Sequence, residues 1–435
     1  MRTSKKLRKL TLRMAASTTA LMAALAMVAV MMIAGSRQAQ AQTFNVIHNF
    51  TGPEGANPEA GVSIRGGNLF GTTYNGGNNG GTVYEVVHVG NNFGTLPIYL
   101  FGSNGHPRAR VVFDTVGHLY GTASGGSTSN GFVFELFPPL SVCKIANCFW
   151  TEKLITQFSG PTGDGANPGY GDLTWDAQGK NIYLTTVLGG LDVNNHQGYG
   201  TVCELQPSEH CYNGGTILEF AGPTGDGAFP QNGIVFDGTG DNLFSTTQNG
   251  GSGSACTGNC GTVFEMSYIP GLGWIEQTPL VYDFQNGSDG GLPVAGLIFD
   301  ATHTNLFGAT TDGGQGGGGT IFELSPSGNS WTFQVLHSFS GAPGQQCGPW
   351  ASLTMDAQGN LYGTTRCDGA SNQGSIFKLT NSGNRYTYST LYEFTGGSDG
   401  AMPISNVSID TDGSLYGTTS MGGSLGKGVV WMIKP

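Results

Sequence analysis

The sequence has few charged residues and no helical pattern. Charged residues make up 11% of the chain, against about a quarter in average proteins. No segment of residues 42–435 keeps the period of an amphipathic helix, because Gly or Pro interrupts every window long enough for one. The pattern therefore excludes an α-rich fold. Although 74 residues are Gly, the regular spacing of Phe, Tyr, Leu and Val also argues against a disordered low-complexity chain.

Basic residues are scarce outside the N-terminus. Seven of the 18 Lys and Arg residues lie in residues 1–41, which leaves 11 basic against 29 acidic residues in 42–435 and a formal charge near −18. An acidic domain of this kind repels phosphate backbones. We therefore expect no nucleic-acid partner.

The motifs of common catalytic and metal centres are missing. The sequence has no HExxH, P-loop or CxxC, and its eight His residues show no HxH spacing. It therefore identifies no catalytic residue, and we expect no cofactor. Three functions stay open: a non-catalytic binding or scaffold protein, which we favour, a hydrolase or lyase acting on polysaccharide or a lactone, and an adhesion or assembly protein of the cell envelope.

The N-terminus is typical of an export signal. Six basic residues precede an apolar run over residues 14–35, and Ala39-Gln40-Ala41 is a small-x-small pattern behind it. We expect cleavage before Gln42 and a secreted, periplasmic or cell-surface protein made of one domain, 42–435, with no membrane contact once the signal is removed. An uncleaved anchor is the alternative, since the run approaches the roughly 20 residues that cross a bilayer.

Eight cysteines in an exported chain indicate disulfides. They fall in pairs that are local in sequence, and we expect four bridges: Cys143–Cys148, Cys203–Cys211, Cys256–Cys260 and Cys347–Cys367. The third is the least secure pairing, because a three-residue loop closes only in a narrow backbone geometry.

A short phrase recurs seven times along the chain. Asn68-Leu-Phe-Gly-Thr-Thr73, a Gly-rich gap and Gly81-Thr-Val-Tyr-Glu-Val86 form the first copy, and the copies begin 50 to 63 residues apart. In the sixth copy, segments of strand length and composition cover residues 331–339, 351–355, 360–365 and 374–379. Four strands per repeat of about 56 residues are typical of a propeller blade. We therefore predict an all-β, seven-bladed propeller rather than a solenoid.

The phase of the repeat predicts how the ring closes. Residues 44–50 match the fourth strand of a blade, whereas the chain ends on a third strand at 428–433. We expect these two segments to pair, which would remove two open sheet edges.

The recurrent acids are assigned to structure. An Asp opens the turn ahead of each Leu-Tyr phrase, as at Asp114 and Asp356, and a Glu in the third strand, as at Glu85, is expected to pair across strands. A third set, Glu54, Asp164, Asp226, Asp289 and Asp399, could hold Ca²⁺, but one carboxylate per blade spaces the ligands too widely, so turns are favoured.

The motif resembles that of choice-of-anchor tandem-repeat proteins that carry the so-called GloVer repeat. The resemblance rests on Asp356-Ala-Gln-Gly-Asn-Leu-Tyr-Gly-Thr-Thr365 and on Gly261-Thr-Val-Phe-Glu-Met266. It implies an exported bacterial repeat protein and no established activity.

Departures from the repeat are the candidate ligand-binding residues. The residue after the Pro that enters each inner strand should lie at the mouth of the central channel, where Gly169, Val294 and Ile404 occupy three of the seven positions. A Trp and several Arg at one mouth would suit a sugar or a carboxylate. The candidate ligand-binding residues are Glu59, Arg108, Arg110, Gln231, Trp350 and Arg366. A plug without a ligand is the alternative, and we expect a monomer whose partner is an extracellular carbohydrate or protein.

Overall fold

Seven antiparallel sheets form a ring of blades, a seven-bladed β-propeller, as the repeat predicts. The computed structural model describes residues 42–90, 92–126, 129–139, 148–160, 163–190, 198–205, 215–341, 344–383 and 385–434. Residues 44–434 form one compact unit. The described residues contain no helix, and hence none with the length and hydrophobicity needed to cross a membrane.

Each blade runs from an inner strand at the ring axis through a second and a third strand to an outer strand. The inner strands are β2 (Ser63–Arg65), β6 (Val112–Phe113), β10 (Thr174–Trp175), β14 (Val235–Phe236), β19 (Ile298–Phe299), β23 (Thr354–Met355) and β27 (Ser408–Ile409). The second strands are β3 (Asn68–Thr73), β7 (Leu119–Ala123), β11 (Ile182–Thr186), β15 (Asn242–Thr247), β20 (Leu306–Ala309), β24 (Leu361–Thr365) and β28 (Leu415–Thr419). The third strands are β4 (Thr82–Val89), β8 (Phe132–Phe137), β12 (Thr201–Leu205), β16 (Thr262–Ile269), β21 (Gly317–Ser327), β25 (Ser375–Asn381) and β29 (Val429–Lys434). The outer strands are β5 (Asn92–Leu100), β9 (Thr151–Gln157), β13 (Thr216–Glu219), β17 (Gly273–Glu276), β22 (Ser330–Ser340), β26 (Tyr386–Glu393) and β1 (Thr43–Asn49), and β18 (Tyr282–Asp283) also pairs with β16.

The predicted ring closure is confirmed. Strand β1 is the outer strand of the seventh blade and lies beside β29. Just after β1, the backbone N–H of Phe50 donates to the carbonyl of Gly428. The first and last strands of the propeller therefore complete one sheet, in which β29 is paired on both sides and β1 is the outer strand.

Every blade has one buried phenylalanine near the end of its outermost strand, which for the fourth blade is β18. These residues are at most 3% exposed and fill the space between neighbouring blades: Phe50, Phe101, Phe158, Phe220, Phe284, Phe339 and Phe394. The hydrophobic core is therefore a set of clusters between blades rather than one central core.

Threonines of the second strand join neighbouring blades. In five blades a buried hydroxyl donates to a backbone carbonyl ahead of the next inner strand: Thr72 to Ala109, Thr185 to Asn232, Thr246 to Ala295, Thr364 to Ser405 and Thr418 to Ala60. The fifth blade has Ala309 at this position, and in the second blade the Thr122 hydroxyl is buried without a hydrogen-bond partner. These bonds account for the first Thr of the repeated phrase.

The inner strands are shorter than predicted. The segment predicted as a strand over residues 351–355 is paired only at β23. The other three segments of that copy lie within two residues of their observed bounds.

The recurrent acids have the expected structural roles. Asp114 and Asp356 accept backbone N–H bonds from the turns that they open. Glu204 in β12 accepts from the side chain of Tyr183, its partner across the sheet in β11. The third set of acids also accepts turn N–H groups, as Asp399 does from Thr395.

Two of the expected disulfides are present, Cys256–Cys260 and Cys347–Cys367. They are consistent with an oxidising compartment. The Cys203–Cys211 pairing is corrected: Cys203 is a free thiol, completely buried in the core between the blades, and Cys211 lies outside the described residues. Cys143, the expected partner of Cys148, also lies outside them.

Candidate functional site

The upper face of the propeller carries the glycine-rich connections between second and third strands and the connections that lead into the inner strands. Isolated bridges join the two kinds of connection within a blade, as between Ala56 and Asn75, and the Cys347–Cys367 disulfide joins them in the sixth blade. The turns between inner and second strands define the lower face. The predicted ligand-binding residues all come from upper-face connections.

Side chains from four blades form a continuous stack at the upper end of the channel. We call Tyr74, Arg108, Tyr170, Trp350 and Arg366 the mouth cluster. The Arg108 guanidinium carbon lies 4.5 Å from the ring centroid of Tyr74 and 5.1 Å from that of Tyr170. The Tyr170 and Trp350 centroids are 6.3 Å apart with perpendicular planes, and the Arg366 guanidinium carbon lies 4.7 Å from the Trp350 ring. Cations and aromatic rings thus alternate across the mouth.

The mouth cluster also closes the channel. Tyr170 and Trp350 enter the third and sixth blades, on opposite sides of the ring, and yet their rings are in contact. Beneath them a cavity of about 20 Å³ is lined by residues that include Glu59, Arg108 and Ile404. This space holds about one water molecule. The stacked side chains therefore present one surface to solvent and seal the channel with the other.

Sequence reasoning overlooked Tyr170 because the third blade has one extra residue. Six residues run from Pro168 to the core residue Leu173, whereas five run from Pro107 to Val111. The mouth position of this blade is therefore Tyr170 and not Gly169, and the next position along the channel is Asp172 and not Gly171. A count of residues between the Pro and the core residue would have detected this shift.

Two glycines make room for the inserted residue. A Cβ atom at Gly169 would lie 2.6 Å from the carbonyl oxygen of Gln231, and one at Gly171 would lie 2.1 Å from the backbone nitrogen of Gly233. The backbone N–H of Tyr170 donates to the same Gln231 carbonyl at 2.8 Å. The Gly-Tyr-Gly segment therefore lies tightly against the fourth blade and directs the tyrosine ring into the mouth.

Glu59 and Arg108 form a partly satisfied pair beside Tyr170. The Arg108 Nε atom is 3.6 Å from Glu59 Oε2, and Arg108 Nη1 donates to the Tyr170 hydroxyl at 2.6 Å. Burial raises the pKa of the Glu59 carboxyl above its ordinary value, although the Arg108 charge acts in the opposite direction. Both Glu59 Oε2 and Arg108 Nε are buried and have no hydrogen-bond partner.

Trp350 and Arg366 are fixed by the connections that carry them. The indole N–H of Trp350 donates to the Gln346 carbonyl at 2.9 Å, and the backbone N–H of Arg366 donates to the Cys347 carbonyl at 3.1 Å. The disulfide from Cys347 to Cys367 joins the same two connections covalently. The side chain of Arg366 takes part in no salt bridge among the described residues.

The structure separates Arg110 from the other predicted site residues. Arg110 donates from Nε and from its backbone N–H to the Asp172 carboxylate, and its Nη2 lies 2.7 Å from Asp172 Oδ2. It lines a cavity that opens to the lower face. Arg110 comes two residues after Arg108, and residues two apart in an extended segment lie about 7 Å apart, so Arg110 lies deeper in the channel. The expected grouping of Arg110 with Arg108 and Trp350 is therefore wrong. Gln231 lies on the upper face and donates to Gln248 at 2.9 Å.

The lower cavity has a volume of about 950 Å³. Its walls are mostly residues of the inner strands, such as Val112, Val235 and Ile298, and its rim includes Asp237 and Asp300. The Arg110–Asp172 pair lies at its inner end, where Asp172 also lines the small cavity below the mouth. The two ends of the channel therefore differ in chemistry. Aromatic and cationic side chains line the upper end, and apolar side chains with an acidic rim line the lower end.

One group of side chains in the described residues has the donor atoms of a metal site. Candidate ligand atoms of Asp114, His118 and Glu135 lie within 4.8 Å of one another. Glu135 already accepts a hydrogen bond from Tyr120, and the Lys153 ammonium lies 3.4 Å from its second oxygen. These partners satisfy the carboxylate without a metal ion.

Comparisons with known proteins agree with the fold. The family model described as the Gloeobacter/Verrucomicrobia repeat matches residues 256–435. The sequence has no match among curated proteins.

Several solved structures are similar in fold. A protein from Bacteroides fragilis assigned as a 6-phosphogluconolactonase has a TM-score of 0.51 and 17% identity, over 82% of this chain and 88% of its own. A polysaccharide lyase of family PL25, an ulvan lyase bound to a GlcA(1-4)Rha3S saccharide, has a TM-score of 0.51 and 13% identity, over 88% and 94%. A gluconolactonase from Xanthomonas campestris has a TM-score of 0.42 and 12% identity, over 90% and 89%. At these identities the two structures with a TM-score of 0.51 support the propeller fold and not an activity.

Proposed function

The chain carries the Gloeobacter/Verrucomicrobia repeat in residues 256–435, and we propose that this propeller is an exported protein that binds carbohydrate at the mouth cluster. The observation that carries the proposal is the stack of three aromatic rings and two guanidinium groups contributed by four blades. Sugar rings pack their C–H faces on aromatic side chains, and arginine donates to their oxygens. The repeat itself requires none of these five residues.

Burial supports a surface role for the cluster in addition to its role as a plug. The seven phenylalanines between the blades are nearly inaccessible, whereas Tyr74, Arg108, Tyr170, Trp350 and Arg366 are all half-buried. If the residue after the Pro had only to pack, it could be aliphatic, as Ile404 and Val294 are in two other blades. The mouth cluster therefore combines closure of the channel with an accessible aromatic surface.

The test is a glycan-binding screen of the mature protein and of Trp350→Ala, followed by titration calorimetry of the sugars that bind. We expect loss of binding on Trp350→Ala, with at least a tenfold weaker affinity because stacking contributes about 1 kcal/mol or more. Trp274→Ala is the matched control, since Trp274 is a half-buried tryptophan on outer strand β17. Thermal unfolding of both variants separates loss of binding from loss of fold. Failure of the wild type to bind any sugar would refute the proposal.

The hydrolase or lyase alternative is tested in the same incubations. A glycosidase needs two carboxyl groups about 5 to 9.5 Å apart at the bound sugar, whereas Glu59 and Asp172, which line the small cavity below the mouth, are paired with Arg108 and Arg110. We expect oligosaccharides to be recovered intact. Catalytic release of reducing ends, or of unsaturated sugars, would replace the binding proposal with an enzymatic one.

A further inference from the structure

We propose that the carbohydrate bound at the mouth is acidic, and that its carboxylate pairs with Arg366. This inference rests on the proposed function and specifies its ligand class. Two features of the mouth support it: an arginine with unused donors, and the fixed geometry in which that arginine is held.

Arg366 has a charge that the described protein does not neutralise. Basic residues number 11 against 29 acids in 42–435, and yet this guanidinium stacks on Trp350 and forms no salt bridge among the described residues. The hydrogen bonds that the structure gives Arg366 use its backbone N–H. Its planar fork is therefore available to a carboxylate, which it binds through two parallel hydrogen bonds.

The position of Arg366 is fixed before any ligand binds. Trp350 is held through its indole N–H, and the Cys347–Cys367 disulfide connects the segment before Trp350 to the residue after Arg366. Holding a side chain in its binding geometry lowers the entropy lost on association. The cation and the aromatic face are thus presented together, as recognition of a charged sugar ring requires.

Glu59 lies at the other end of the mouth cluster, where its Oε2 atom is 3.6 Å from Arg108 Nε. Glu59 occupies Arg108 and would repel a carboxylate placed beside it. The acidic group of the ligand therefore belongs at the Arg366 end.

The experiment compares two ligands of the same sugar sequence, one with ionised carboxyl groups and one with neutral methyl esters. Calorimetric titration would use oligogalacturonate and the same oligomer fully methyl-esterified, and a sulfated galactan oligomer as a third ligand. We expect oligogalacturonate to bind at least tenfold tighter than its ester, the factor that one charge-assisted hydrogen bond supplies. Tighter binding of the sulfated oligomer would overturn the assignment of a carboxylate.

Variants assign the charge to one residue. Arg366→Gln is expected to weaken oligogalacturonate binding about tenfold and binding of the ester by much less, while Arg366→Lys recovers part of the loss. The control is Arg65→Gln, because Arg65 also stacks on an aromatic ring, Phe113, at 4.8 Å but lies at the lower-face end of β2. Equal affinity for acid and ester, unchanged in Arg366→Gln, would overturn this inference and leave carbohydrate binding intact, whereas no binding of either would overturn both.

Discussion

At the scale of single residues, the first Thr of the repeated phrase forms a hydrogen bond to the next blade in some blades and has no partner in another. Thr364 and Thr122 occupy the same position in two blades and are equally buried, at 2% exposure. The Thr364 hydroxyl donates to the Ser405 carbonyl at 2.7 Å, whereas that of Thr122 has no partner. The difference coincides with the extra residue of the third blade, which faces Thr122.

We expect Thr364→Val to lower the free energy of unfolding by about 1 to 2 kcal/mol, because it leaves the Ser405 carbonyl unsatisfied. Thr122→Val should change it by less than about 0.5 kcal/mol, because no hydrogen bond is lost. Chemical denaturation of the two variants measures both values. Equal losses would show that the hydrogen bond between blades does not contribute to stability.

Single residues are also where sequence reasoning about the site was least complete. Arg108, Trp350 and Arg366 were identified because they depart from the repeat, and they do lie together. Tyr74 follows a second strand and Tyr170 lies in an insertion. Neither is the residue directly after the Pro that enters an inner strand, which is the position at which the blades were compared. Arg110 was predicted at the mouth because the sequence gives its place in the repeat and not its depth along the channel.

At the scale of strands, the N-terminal strand is equivalent to the six outer strands that their own blades supply. Phe50 follows β1 as Phe101 follows β5, and both are at most 2% exposed. Phe50 packs against Tyr84 of the first blade with ring centroids 5.1 Å apart, and Phe101 packs against Phe134 of the second blade at the same separation. The closing contact therefore reproduces the ordinary contact between blades.

We expect Phe50→Ala and Phe101→Ala to destabilise the protein equally, by about 3 to 5 kcal/mol each, because both leave a large cavity between blades. Thermal or urea-induced unfolding measures the two losses. If Phe50→Ala were nearly neutral while Phe101→Ala was severe, the ring would not be closed by β1 in solution.

The strands could be predicted because each repeat contains the same local signals. A second strand of apolar residues and Thr and a Gly-rich gap recur in every blade, a turn opened by Asp recurs in six of the seven, and the offset between the chain ends predicts the closing pair. The inner strands were the exception. Composition predicts which residues favour a strand but not where pairing with the second strand begins, so a strand was predicted over 351–355 where only Thr354 and Met355 pair.

At the scale of the whole molecule, the excess of acids makes stability depend on pH. The carboxyl groups of Asp226 and Glu276 interact directly, and burial together with the Asp226 charge raises the pKa of Glu276 to about 7. The folded protein therefore holds this proton more tightly than the unfolded chain does. The resulting stabilisation is fully present below about pH 4.5 and is lost as pH rises through 7.

We expect the free energy of unfolding to fall by about 1 kcal/mol from this pair between pH 5 and 8, after allowance for solvent screening. Glu276→Gln should remove that part of the slope, because the amide does not titrate. Asp241→Asn, an exposed acid of the same blade, is the control and should keep the wild-type slope. Urea denaturation at several pH values measures the difference, and identical slopes for wild type and Glu276→Gln would contradict the prediction.

The inserted residue of the third blade indicates how a repeat protein can acquire a new surface. Removing one residue between Pro168 and Leu173 would restore the regular count and withdraw Tyr170 and Asp172 from the channel together. One change in chain length thus alters the partners of two arginines, Arg108 and Arg110, without substituting either. Relatives that share every repeated phrase could therefore differ in what they recognise through a single insertion or deletion, which comparison of the phrases alone would not reveal.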